Sequence, residues 1–256
     1  MKKSAQKIAA VCLAACLLMI AIPSAHAEEQ AGADKNWELN LTPMYLWFVD
    51  MSGTMGVKNM NVPVDVPFGD IFDNLEAILT GHFEALHRSH WGLILDLSYL
   101  DIGSSVPADR IQKVDFVSVI AEADGFYRFY MGYQAIDILA GIRYNSLEPK
   151  ITFTPGLPLS SLKTTEDWID PIVGGRYLRE LNDQWTLILR ADIGGFGVGS
   201  DFVWNVSGLV DYRPWKHVSI IGGYKALDTD YKNSNGTITT YDVRLAGPVL
   251  GLNFFW

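Results

Sequence analysis

Leu250-Gly251-Leu252-Asn253-Phe254-Phe255-Trp256 closes the chain and decides how the rest is read. Counted back from the terminus, Trp256, Phe254, Leu252 and Leu250 fall on one face, and Phe255, Asn253 and Gly251 on the other. A period of two is the signature of a strand. In water, large rings at an unprotected final edge are a liability. They make sense where that face meets lipid and the strand closes a barrel on the first one.

Working outward, candidate strands fall at 36–49, 77–88, 91–102, 114–130, 134–146, 165–180, 184–196, 201–213, 217–228 and 237–256. Each exceeds the roughly 9–11 residues a tilted strand needs to cross a bilayer. Turns after the even strands are short: Ser89-His90, Met131-Gly132-Tyr133, Leu181-Asn182-Asp183 and Pro214-Trp215-Lys216. Connections after the odd strands are longer (50–76, 103–113, 147–164, 229–236), apart from Gly197-Val198-Gly199-Ser200. This alternation predicts an all-β, antiparallel up-and-down transmembrane barrel of about ten strands, with both termini at the short-turn end. Eight or twelve strands are the alternatives.

Aromatic residues bracket aliphatic stretches. Trp91 to Tyr99 spans Leu93, Leu95 and Leu97, and Trp37 to Trp47 and Trp185 to Phe196 are comparable. Eight residues span about 27 Å along a strand, or about 21 Å of depth at a 40° tilt, the height of a lipid-facing band between two aromatic girdles. In the last strand Tyr241, Val243 and Leu245 read as lipid-facing, out of phase with Leu250, Leu252 and Phe254. A bulge at Ala246-Gly247-Pro248 would reconcile the two sets.

The N-terminus has the form of an export signal, expected to span 1–27. Lys2, Lys3 and Lys7 precede an apolar run from Ile8 to Ile22, and Ala25-His26-Ala27 is an A-x-A cleavage site. Leu13-Ala14-Ala15-Cys16 is a competing lipoprotein-type box, disfavoured because the apolar run continues past Cys16. Both cysteines, Cys12 and Cys16, would leave with the signal, which excludes a disulfide or cysteine metal site in the remainder. Residues 28–35 read as a flexible segment before a barrel at 36–256. Cleavage leaves 17 basic and 29 acidic side chains over 229 residues, a net charge of −12. That balance argues against nucleic acid as a partner.

The inward faces carry His82, Glu84, Asp96, Glu122 and Asp124 on strands two to four, and Arg143, Arg176, Arg190, Lys225 and Arg244 on later strands. The expectation is a mainly acidic wall facing a mainly basic one, with Arg128, Asp137, Asp170, Asp192 and Asp211 as exceptions. Buried charge must be paired or solvated, so cross-lumen ion pairs and trapped water follow. Such a network either fills the barrel or gates a narrow water-filled path. The pairs Gly174-Gly175, Gly194-Gly195 and Gly222-Gly223 read as room for opposing arginines and as barrel curvature.

In the first loop, Gly53–Val57 and Asn61–Val66 suggest a hairpin. Phe68, Ile71, Phe72 and Leu75 then share one helical face, opposite Asp70, Asp73 and Glu76. This amphipathic helix is expected to plug the barrel mouth or rest on its rim. The acidic face matches no calcium-loop spacing, and neither metal nor cofactor is expected.

The final Leu252, Phe254 and Trp256 resemble the terminal strand of bacterial outer-membrane barrels, where a C-terminal aromatic residue is an assembly signal. Asp192-Ile193-Gly194-Gly195-Phe196-Gly197-Val198-Gly199-Ser200-Asp201 with Trp204 resembles a motif in a group of largely uncharacterised proteobacterial outer-membrane barrels. So do Trp91-Gly92-Leu93 with Leu97-Ser98-Tyr99-Leu100-Asp101, and Gly222-Gly223-Tyr224-Lys225-Ala226-Leu227-Asp228. The resemblance implies the outer membrane of a Gram-negative cell. The expected partners are outer-membrane lipid, lipopolysaccharide and the barrel-assembly machinery, and the expected state is a monomer.

Some outer-membrane barrels are hydrolases. Ten-stranded proteases need paired acids and an Asp–His couple near the outer rim. Here His87, His90 and His217 fall at turns, His26 leaves with the signal, and His82 alone faces the lumen. A deacylase of the small-barrel kind would show His-x-Ser, which is absent. The expectation is a non-enzymatic barrel, structural or a narrow porin-like pore for small solutes or ions. The alternative is a surface binding or adhesion protein acting through 50–76 and 147–164. In the latter loop Thr152, Pro155, Gly156, Pro158, Ser160 and Ser161 are polar and turn-forming.

Overall fold

The computed structural model describes residues 36–57, 60–104, 111–153, 161–233, 236 and 238–256. The expected signal and the 28–35 segment lie outside them, as does 154–160, where four of the six polar loop residues fall. The described chain is one closed antiparallel barrel of ten strands. The first is staggered into three pieces, β1 (Trp37–Thr42), β2 (Tyr45–Trp47) and β3 (Asp50–Val57), all paired with the last strand. Then follow β4 (Met60–Val66), a short helix α1 (Phe68–Asp73), β5 (Leu75–His87), β6 (Trp91–Ser104), β7 (Ile111–Met131) and β8 (Gln134–Phe153). The remainder is β9 (Ser161–Lys163), β10 (Glu166–Asn182), β11 (Trp185–Gly194), β12 (Phe202–Tyr212), β13 (Val218–Lys232) and β14 (Ile238–Phe255). β3 and β4 form the expected hairpin, Met51 opposite Val66 and Val57 opposite Met60.

Closure runs through both ends of the chain. Leu39 N–H donates to Trp256 O and Trp256 N–H to Leu39 O, each at 3.1 Å. The barrel therefore has no free edge between first and last strands, which a bilayer requires because lipid satisfies no backbone donor.

The phase problem of the last strand is resolved elsewhere than expected. β13 and β14 keep one register from Val218–Phe254 to Lys232–Thr240, so there is no bulge against β13 at Ala246-Gly247-Pro248. From Tyr241 onward the odd residues of β14 point inward: Tyr241, Val243 and Leu245 are buried in the lumen rather than facing lipid. The extra residue lies in the facing strand, at Pro43-Met44. Leu41 opposes Phe254, but Tyr45 opposes Gly251, so the partner strand skips one residue and inward parity switches from even to odd. Trp47, expected in the outer girdle, consequently points inward and is 6% exposed.

Outside, the alternation reads as expected. Trp91, Leu93, Ile138, Ile142, Ile169, Leu189, Leu250 and Leu252 are exposed on the outer face. Trp37, Trp91, Phe129, Trp185, Phe254 and Trp256 mark the turn end. β7 and β8 are 21 and 20 residues long, about twice a bilayer crossing, and extend the wall well beyond this band at the loop end.

Candidate functional site

Inside, the barrel divides into two halves. The loop half is packed with apolar side chains, among them Trp47, Met51, Trp168, Leu227, Tyr241 and Leu245, in one cluster. Ile71 of α1 joins this cluster at 3% exposure and so caps the lumen. Only one member of the expected helical face does this. Phe68 packs edge-on against Phe48 at 5.1 Å, Phe72 is 62% exposed, and Leu75 begins β5 because α1 ends at Asp73. Six residues give too little helix for a four-residue face.

A buried carboxylate ties this half to the rim. Asp170 accepts from Ser200 N–H at 2.6 Å, Ser200 Oγ at 2.9 Å, and Trp168 Nε1 and Asn145 Nδ2 at 3.0 Å each. These bonds anchor the turn joining β11 to β12, where Gly195, Phe196 and Gly197 all have positive φ. Two of the three positions are glycine, which takes that conformation without strain. The glycine-rich motif singled out in the sequence is thus a tight turn clasped by a carboxylate.

The turn half holds two ion-pair networks. In the first, Arg128 Nε and Arg176 Nε donate to Asp137 at 2.7 and 2.8 Å, and Glu84 accepts from Arg128 Nη2 at 3.2 Å and Arg176 Nη1 at 2.5 Å. Both guanidiniums lie over the Phe126 ring, at 5.4 and 5.1 Å. In the second, Arg143 bridges Glu122 and Asp192 at 2.8 Å each. Arg190 reaches Glu122 at 2.5 Å and Asp124 and Asp192 at 2.9 Å. The expected division into an acidic and a basic wall does not describe these networks. Arg128, Asp137 and Asp192, treated as exceptions, are central to them. Some pairs still cross the lumen: Glu84 and Arg176 come from β5 and β10, with three strands between them in the sheet order.

Glycine makes room for acids here rather than for arginines. A Cβ at Gly141 would lie 2.1 Å from Asp124 Oδ1, and one at Gly174 would lie 2.5 Å from the Asp192 Cβ.

His82 has a partner that the sequence reading missed. Its Nδ1 lies 2.8 Å from Asp96 Oδ2, and the Tyr45 hydroxyl donates to Asp96 Oδ1 at 3.3 Å. The signal was available: a tight turn centred on Ser89 sets the β5–β6 register and places His82 opposite Asp96. Lys225 also faces the lumen, with its ammonium 5.0 Å from the Trp47 ring centroid. Arg244 does not. Even residues of β14 face outward, so Arg244 pairs with Asp228 at 2.8 Å and lies over Trp204 on the barrel's exterior.

Between the networks and the opposite wall lies a cavity of about 530 Å³. Tyr130, Tyr133, Arg213 and Trp256 ring its mouth at the turn end, and Tyr45, Asp96 and Lys225 lie towards its inner end. Beyond them lie a void of about 10 Å³ beside Trp47 and Leu227 and then the packed apolar cluster, so among the described residues the cavity is blind. At the loop end, Lys113 pairs with Glu76 at 2.5 Å and Asp115 at 2.6 Å, and these bonds raise its pKa above the ordinary lysine value. Among the described residues no group of three or more potential ligands could hold a metal ion.

No family model matches the chain, and no curated protein does. Solved structures that align with most of it include Ail, the attachment invasion locus protein of Yersinia pestis, in complex with the heparin analogue sucrose octasulfate. That alignment has 12% identity, covers 86% of this chain and 99% of that chain, and has a TM-score of 0.38. Neisserial surface protein A aligns at 10% identity, over 86% and 96% of the chains, with a TM-score of 0.34. A Pseudomonas aeruginosa FadL homologue aligns at 8% identity, over 86% and 89%, with a TM-score of 0.35. At these identities and TM-scores, the likenesses carry no argument about what this chain binds.

Proposed function

We propose that the chain is an integral outer-membrane barrel that is closed to solutes in this state, with its turn end in the periplasm and its loop end outside. The carrying observation is the inversion of polarity: an apolar, aromatic-bordered exterior encloses buried arginines and carboxylates. A water-soluble barrel would place these the other way round. The cleavable signal expected at 1–27 supplies export, and the C-terminal Leu252, Phe254 and Trp256 supply the assembly signal. Lipopolysaccharide and outer-membrane lipid are the surroundings. The His82–Asp96 couple faces a cavity that opens at the turn end rather than at the outer rim, and no catalytic role is proposed for it.

The packed loop half makes the barrel structural rather than freely conducting. The refolded protein in planar bilayers is expected to show no sustained unitary steps, and detergent extraction should recover it from the outer membrane. Steady conductance in the native sequence would overturn the closed reading, and recovery from the soluble periplasm would overturn the membrane reading.

A second reading, surface binding or adhesion, draws on the length of β7 and β8. Together with β9, they project a sheet beyond the lipid-facing band. Shortening both strands at this end should abolish cell or ligand binding while leaving the barrel assembled, if this reading holds.

A further inference from the structure

The cavity wall formed by β10–β13 is graded in charge. Near the mouth, Glu180, Thr186 and Asp211 stand on one cross-strand rung. Four residues deeper along β10, β11 and β12, Arg176, Arg190 and Ser207 form a second rung, which Lys225 of β13 continues. Ile188 and Leu209 fill the rung between them. Four residues of strand span about 13 Å. The wall thus runs from acidic, through aliphatic, to basic, from open end to blind end.

The charges free to meet a ligand follow the same order. At the mouth, Glu38 and Glu180 have no ion-pair partner among the described residues, whereas Asp211 is held by Arg213 at 2.7 Å. At the blind end the Lys225 ammonium has no carboxylate within ion-pair distance among them. Its register neighbour Ser207 supplies a hydroxyl beside it. Asp96 and Glu122 face Lys225 from the opposite wall, but His82 occupies the first and two guanidiniums occupy the second. Arg190 is likewise occupied by three carboxylates.

We infer that this cavity binds a linear zwitterion entering from the turn end, carboxylate inward against Lys225 and Ser207 and ammonium outward among the mouth carboxylates. About 13 Å at 3.3–3.6 Å per extended residue corresponds to a peptide of three or four residues. The hydroxyls of Thr186 and Ser207 are available to its peptide groups, and the Ile188–Leu209 rung to its side chains. A cavity of about 530 Å³ accommodates such a molecule. The inference rests on the lumen being closed at the loop end, as proposed above. A barrel that conducted, yet bound peptide as described, would break that reading and leave this one standing.

The test is calorimetric titration of trialanine into the barrel held in zwitterionic nanodiscs, with empty nanodiscs as the blank. Saturable binding of one peptide per barrel is expected. It should weaken at least about tenfold on C-terminal amidation of the peptide and by a similar factor in Lys225→Met, with amidation adding little in that variant. N-terminal acetylation should weaken binding as well, and Lys225→Arg should retain it. Heat-dependent gel mobility confirms that each variant is a folded barrel. Absence of binding, equal binding of trialanine and its amide, or full binding by a folded Lys225→Met barrel would each overturn the inference.

Discussion

Replacing Arg143 with methionine is expected to destabilise the barrel by about 3–5 kcal/mol, the cost of removing one partner from a buried ion pair. Arg143 is 2% exposed and joins Glu122 to Asp192. Without it, Arg190 must neutralise Glu122, Asp124 and Asp192 alone. Three carboxylates against one guanidinium, away from bulk water, leave charge uncompensated. Adding Glu122→Gln removes one of those charges and should restore part of the loss. Urea unfolding in lipid vesicles, followed by tryptophan fluorescence, reads both effects. An Arg143→Met barrel as stable as the native one would show that water reaches this network and screens it.

Trp168→Ala should cost a comparable 3–5 kcal/mol, through a different mechanism. The indole stacks on Tyr231 with centroids 4.2 Å apart and packs in the apolar loop half. Its N–H donates to both Asp170 and Ser200. Truncation therefore opens a cavity and loosens the clasp on the β11–β12 turn together. Trp168→Phe keeps most of the volume and loses the donor, so it should fall between the two. The same unfolding series separates them, and equal stability of all three proteins would refute the account of this half as a packed core.

The architecture was legible because a two-residue period and short turns fix it locally. Trp91, Leu93, Leu95 and Leu97 on one face, and Gly92, Asp96 and Ser98 on the other, need no distant information. Facing direction failed where parity depends on one inserted residue. Pro43 and Pro248 are both candidates for a bulge, and the chain uses the first. The wrong choice placed Trp47, Tyr241, Val243 and Leu245 in lipid and Arg244 in the lumen. Cross-strand partners such as His82–Asp96 and Glu122–Arg143 were recoverable from turn centres. Pairs across the lumen, such as Glu84–Arg176, were not, because they depend on the curvature of the closed sheet. The division of the interior into apolar and charged halves depends on parity too, so it was hidden by the same inserted residue.

A recess with one opening exchanges with one compartment only. Whatever occupies it comes to equilibrium with solution on that side, and a concentration difference across the bilayer can do no work on it. If the lumen is closed as proposed, such a chamber registers how much of a solute is present and carries no flux.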